Sequence, residues 1–117
     1  MAAISASIDK RRGFWVISWT TTDETDTFVA EEVGWLTDKS VQFSGTWNGA
    51  TFTLQGSNDA ATYIVLTDPQ GNGISKTVDA VEQITEATRY IKPTQSGGGA
   101  STAITVSVMC VKPTGAK

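Results

Sequence analysis

The chain has 117 residues and a mass of 12.4 kDa, enough for one folded domain around a single hydrophobic core. A net charge of -3 and an isoelectric point near 4.7 leave no basic footprint for a phosphate backbone, so nucleic acid is not an expected partner. With no histidine and one cysteine, the chain has no intrachain disulfide, no zinc site of four His and Cys ligands, and no Ser-His or Cys-His nucleophile.

Residues 1–12 are small and polar and end in Lys10, Arg11 and Arg12. They are expected to form a flexible arm, with residues 13–117 as one domain. The arm lacks the basic segment followed by an apolar one that a secretory signal carries, and no apolar run of about 18 residues could span a membrane. A soluble protein made in a cytoplasm is the expectation, and a single free thiol agrees with it.

Residues 14–20, FWVISWT, alternate as a strand, with Trp15, Ile17 and Trp19 on one face and Phe14, Val16 and Ser18 on the other. Asp23, Glu24 and Asp26 follow in a threonine-rich stretch, with Glu31 slightly later. These carboxylates lack the Asp-x-Asp-x-Asp-Gly framework of a calcium loop, so the stretch reads as a solvated acidic loop. Residues 27–36 form a short strand or turn, broken by Gly34.

Residues 40–56 carry the strongest local signal. Val41, Phe43 and Gly45 share one face, Phe52 and Leu54 point inward on the return, and Asn48-Gly49 lies between them. Asn-Gly is the dipeptide favoured at the two positive-φ positions of a type I′ turn, so a hairpin is expected. Gly56-Ser57-Asn58-Asp59 makes a second tight connection to the run at residues 63–67, which would complete a three-stranded meander. Residues 68–73, DPQGNG, are a dense turn signal, and residues 74–78 a candidate short strand.

Residues 79–90 alone have helical spacing, at Val81, Ile84 and Ala87, and are expected to make at most one helical turn. Residues 87–92 continue as a strand that stops at Pro93. Gly97-Gly98-Gly99 mark a flexible loop. In residues 103–112, Ile104, Val106, Val108 and Cys110 share one face, and Pro113 closes the strand. Seven or eight short strands at this spacing predict an all-β fold, an antiparallel sandwich of jelly-roll or Greek-key type.

The chemistry-bearing residues do not assemble into a catalytic set, and the protein is not expected to be an enzyme. Glu31 and Glu32 are adjacent, which on a strand sends them to opposite faces and spoils them as an acid-base pair. Cys110 lies on an apolar face, where it acts as a small hydrophobe. Trp15 and Trp19 are in phase with Ile17 and belong to the core. Trp47, at the tip of the expected hairpin, is the tryptophan placed to contact a partner. Asn58 and Asp59 read as turn residues first and ligand contacts second.

From Asp38 onward a resemblance appears. Asp38-Lys39-Ser40-Val41-Gln42, Gly45-Thr46, Asn48-Gly49-Ala50-Thr51 and Leu54-Gln55-Gly56-Ser57-Asn58-Asp59 form the first part of it. Leu66-Thr67-Asp68-Pro69-Gln70-Gly71-Asn72, Tyr90-Ile91-Lys92-Pro93, Gly97-Gly98 and the closing alternating strand complete it. Together, over residues 38–112, they resemble the small β-sandwich head decoration, or cement, proteins of tailed bacteriophages. Two positions depart from the pattern: Ala60 stands where a glycine often ends the Ser-Asn-Asp-Gly turn, and Lys92 where an arginine is common before the proline.

The resemblance implies a virion structural protein on the outer capsid surface, with the major capsid protein and its own copies, as a homotrimer, for partners. It implies no catalytic residue, and the residues themselves lead to the expectation of no metal, no cofactor and no membrane partner. Candidate contacts are the basic cluster Lys10, Arg11 and Arg12, the loop at Gly97, Gly98 and Gly99, and Trp47. The alternative expectation is a tail or surface adhesion module that binds a glycan through Trp47 and the loop of Asn58 and Asp59.

Overall fold

A computed structural model describes residues 3–113; residues 1–2 and 114–117, the outer parts of the expected arm and domain, lie outside the described residues. The expected all-β sandwich is present, with twelve strands among the described residues. Seven have four residues or more: β2 (Ser7–Lys10), β3 (Phe14–Thr20), β6 (Thr37–Thr46), β7 (Ala50–Ser57), β10 (Ala80–Gln83), β11 (Tyr90–Gly97) and β12 (Ala103–Val111). Five are two-residue strands: β1 (Ala3–Ile4), β4 (Thr27–Phe28), β5 (Glu31–Glu32), β8 (Ile64–Val65) and β9 (Ser75–Lys76).

One sheet has the order β10-β6-β12-β3-β2 and is antiparallel throughout. The other runs β5-β11-β7-β8, with β9 also paired to β7. A parallel pair, β1 with β4, forms a small third sheet. Period-two alternation builds the core between the two large sheets. Ile17, Trp19, Val41, Phe43, Ile104, Val106 and Val108 come from the first sheet, Phe52, Leu54 and Ile91 from the second, and all are buried. Trp19 is fully buried, and its indole N–H donates to the Val29 carbonyl at 2.8 Å, which satisfies the one polar atom it carries inside.

The structure corrects the expected hairpin at residues 40–56. The turn is there: Ala50 N donates to Trp47 O at 2.8 Å, and Asn48 and Gly49 have φ of 47° and 81°. Yet β6 pairs with β12 and β10, and β7 pairs with β11, β8 and β9. The turn thus carries the chain from one sheet into the other, and the meander is reduced to β7 with β8. Alternation assigns each strand a face, and two strands with inward apolar residues can meet across a core as well as side by side.

Three further expectations change. Residues 79–90 hold no helix; Ala80–Gln83 is a strand on the edge of the first sheet, with Val81 63% exposed. Pro93 does not stop its strand but lies inside β11, opposite Leu54. It is tolerated because β5 pairs only with Tyr90 and Ile91, and among the described residues no strand is paired to β11 at Pro93 on that side. In place of a free arm, residues 3–10 supply β1, which pairs with β4, and β2, which extends the first sheet beside β3.

Candidate functional site

Strand register fixes where the candidate residues lie. Ala103 of β12 is opposite Thr46, and Val111 is opposite Phe14 and Thr37. At about 3.4 Å per residue these ends are about 27 Å apart. Trp47 and Gly97–Gly99 are together at the first end, and Lys10, Arg11 and Arg12 are at the second. The expected contacts therefore do not form one site.

At the first end, Trp47 is partly buried and packs on the core. Its ring lies edge-on to Phe52, with centroids 5.6 Å apart, and 6.4 Å from Phe43. Its indole N–H donates to Asp79 Oδ1 at 2.7 Å. This is a tethered core ring and not the free platform that a sugar would need. The glycine segment is tied as well. Gly97 pairs with Ala50, Gly99 N donates to Thr102 Oγ1 at 3.0 Å, and Thr102 N returns a bond to Gly99 O at 3.0 Å. Thr102 is fully buried, so its hydroxyl locks what the sequence suggested was a flexible loop.

At the second end, Lys10 Nζ sits 4.6 Å from the centroid of the Trp15 ring, and Arg11 pairs with Asp9 at 3.0 Å. Trp15 in turn meets Trp35 edge to face, at 4.7 Å. The Asn58–Asp59 turn is here too, and one side-chain oxygen of each residue is engaged within the fold. Arg89 N donates to Asn58 Oδ1 at 2.9 Å, and Asp59 Oδ1 accepts from Thr62 N, Ala61 N and the Ser57 hydroxyl. Those donors hold the Asp59 carboxyl down at about 2.

The acidic loop is more closely built than a solvated loop. Asp26 is buried, with Oδ2 at 2.8 Å from Thr21 Oγ1, and Asp23 Oδ1 accepts from the amide and hydroxyl of Thr25, which lowers its pKa. Among the described residues no three His, Cys, Asp or Glu side chains converge so as to hold a metal ion.

Sequence reasoning missed two features. The first is Lys39, which shares the inward parity of Val41 and Phe43 and is 5% exposed. Its ammonium donates to Leu36 O at 2.8 Å and lines an open cavity of about 600 Å³, bounded also by Gly34, Ile84 and Glu86. Burial lowers the Lys39 pKa, and burial raises that of Cys110 to about 11. The parity of Lys39 was legible; that the chain returns beside it, with Ile84 N–H donating to Lys39 O at 2.9 Å, was not.

The second is the outer face of the first sheet. Its three central strands turn outward Phe14, Val16, Ser18 and Thr20, then Ser40, Gln42, Ser44 and Thr46, then Ala103, Thr105, Ser107, Met109 and Val111. None of these is charged. The hydroxyls pair with one another across the strands, Ser18 with Ser107 and Thr20 with Thr105, each at 3.1 Å. On the other sheet the outer face includes Lys92, its Nζ 4.3 Å from the centroid of the Tyr63 ring.

No protein-family model and no curated sequence matches the chain. Among solved structures, the chain is similar to the SPBc2 prophage-derived protein YomS, with a TM-score of 0.58 and 14% identity, over 88% of this chain and 98% of that one. It also aligns with protein NMB1881 from Neisseria meningitidis, with a TM-score of 0.46 and 9% identity, over 91% of this chain and 82% of that one. At 14% identity, what the chain has in common with YomS is its fold.

Proposed function

We propose that this protein is a non-enzymatic structural component of a phage particle, a decoration module that binds the assembled capsid shell through the outer face of its first sheet. The observation that carries the reading is the uncharged character of that face over its three central strands, with Asp9 of β2 at its margin, in a chain of which 18% is charged. Interface centres are depleted of charge because desolvating an ion costs more than close contact returns. Here four of the hydroxyls, Ser18 with Ser107 and Thr20 with Thr105, already satisfy one another, so covering them strands fewer polar groups. YomS, which has the same fold, is prophage-derived, and its origin supports a phage setting for this chain.

A module that binds only the assembled shell shifts the assembly equilibrium toward it, which is how such a protein stabilises a capsid. The test is occupancy on purified shells, measured by co-sedimentation and by electron cryo-microscopy of the particles. Ser107→Glu, at the centre of the face between Ser18 and Gln42, is expected to lower occupancy at least about tenfold while circular dichroism shows an unchanged fold. Full occupancy by the folded variant would remove this face from the contact, and density absent from the shell would overturn the decoration reading.

A further inference from the structure

The first sheet ends in two free edges, and their geometry is matched. β2 and β10 each have four residues, and among the described residues neither pairs with a strand on its outer side. Both are separated from β12 by one antiparallel strand, so both run parallel to it and to each other. They also lie at the same height. Reading across the sheet, Val81, Gln42, Ser107, Ser18 and Ser7 form one row, and Glu82, Val41, Val108, Ile17 and Ile8 form the next.

We infer that copies of this chain join head to tail, β10 of one against β2 of the next, so that the five-stranded sheet continues from molecule to molecule. A neighbour placed at the same height sets Val81 beside Ser7 and Glu82 beside Ile8, with the same residues facing inward in both copies. A slip by one residue would reverse the faces, so the alternation itself selects the register. The occupant is a second copy because the two edges differ in charge. Residues 7–12 hold Asp9, Lys10, Arg11 and Arg12, with Arg11 paired to Asp9, whereas residues 80–86 of the other edge hold Glu82 and Glu86 and no cation. Lys76, paired with Glu82 at 2.6 Å, offsets only one of those acids.

Basic edge against acidic edge is favourable, and neither edge against itself has that advantage. Each edge also keeps an apolar side chain in solvent, Val81 at 63% exposure and Ile8 at 37%, which pairing would cover. Because the two surfaces differ, the contact is heterologous and generates a ring or an open fibre. This inference concerns edges, and the shell contact proposed above concerns a face, so either can fail without the other.

The test is cross-linking of the free full-length protein. Ser7→Cys and Val81→Cys are at exposed positions, and paired strands bring their Cα atoms within disulfide range. The buried Cys110 stays out of reach. Under mild oxidation, a mixture of the two variants is expected to give at least about tenfold more dimer than either alone. The doubly substituted chain should give a ladder of covalent oligomers, weakened by added salt. Equal dimer from either variant alone would overturn the inference in favour of a symmetric edge pair. A monomeric double variant at millimolar concentration would overturn it outright.

Discussion

The two ends of the sandwich take positive-φ backbone in different ways. Where β6 passes to β7, the residues in that region are Asn48 and Gly49, with Gly45, Gly97 and Gly98 nearby. At the opposite end two non-glycine residues take it, Asp38 and Ala60, with φ of 44° and 63°, while Gly71 takes it in the turn at residues 68–73. Glycine and asparagine adopt this conformation at little cost, so the first end is shaped by its own residues. At the second end Asp38, which tolerates this region as asparagine does, lies where the pairing of β6 with β12 slips between Met109 and Val111, whereas at Ala60 the conformation is imposed, with Ser57 Oγ accepting from the Ala60 N–H at 3.0 Å. One end is thus specified locally, and the other is held at Ala60 by its surroundings.

The contrast is broken most severely at Gly45. A Cβ there would lie 2.1 Å from the Ala103 carbonyl oxygen, and at φ 137° the backbone is one that L side chains rarely adopt. Because the obstacle is a main-chain atom of the central strand β12, it cannot swing aside. Gly45→Ala is expected to destabilise the protein by about 3 kcal/mol or more, read from urea denaturation. A loss under about 1 kcal/mol would mean that the crossing is less constrained than described.

The opposite sign is expected at Ala60. Relief of left-handed strain, about 1–2 kcal/mol, exceeds the extra chain entropy that glycine loses on folding, about 0.5–1 kcal/mol. Ala60→Gly should therefore stabilise the fold by about 0.5–1 kcal/mol. Asn48→Gly, at the end whose residue already tolerates positive φ, should change stability by only a few tenths of a kcal/mol. Equal gains at the two positions would erase the contrast.

A separate effect is in the alkaline response of the second end. Cys110 is raised from 9.0 to about 11, so the folded chain holds that proton longer and stability falls as pH rises from about 9 through 11. Lys39 is lowered from 10.5, so below that value the unfolded chain binds more protons and stability rises with pH. The two oppose each other. Lys39→Met leaves the Cys110 loss uncompensated, and its stability should decline more steeply between pH 9 and 10.5 than that of the parent. Cys110→Ala should reverse the trend, and superimposable pH profiles for all three proteins would refute the coupling.

Several elements were legible because they depend on neighbours in sequence. The alternation of residues 14–20 and 103–112 gave two central strands and their inward faces, and Trp19, Val106 and Val108 are buried as that pattern requires. Asn48-Gly49 gave a turn with both residues at positive φ. Trp47 was singled out for its place at the tip, but its ring belongs to the core, because Phe43 and Phe52 converge on it from different sheets. The basic cluster and the glycine segment were both noticed and are at opposite ends, a separation set by strand direction.

The uncharged face shows where sequence reading stopped. Ser18, Ser107 and Gln42 are each an ordinary outward residue of an alternating strand, separated along the chain by 24 and 65 positions. They become a surface only when β6, β12 and β3 pair side by side. Local alternation thus determined which side chains face inward, because a strand repeats every two residues whatever its partners. Which strands lie together, which edges stay open and where Lys39 is buried were decided by the tertiary fold, because a backbone hydrogen bond has the same chemistry with any partner and only the packing of the whole core discriminates among them.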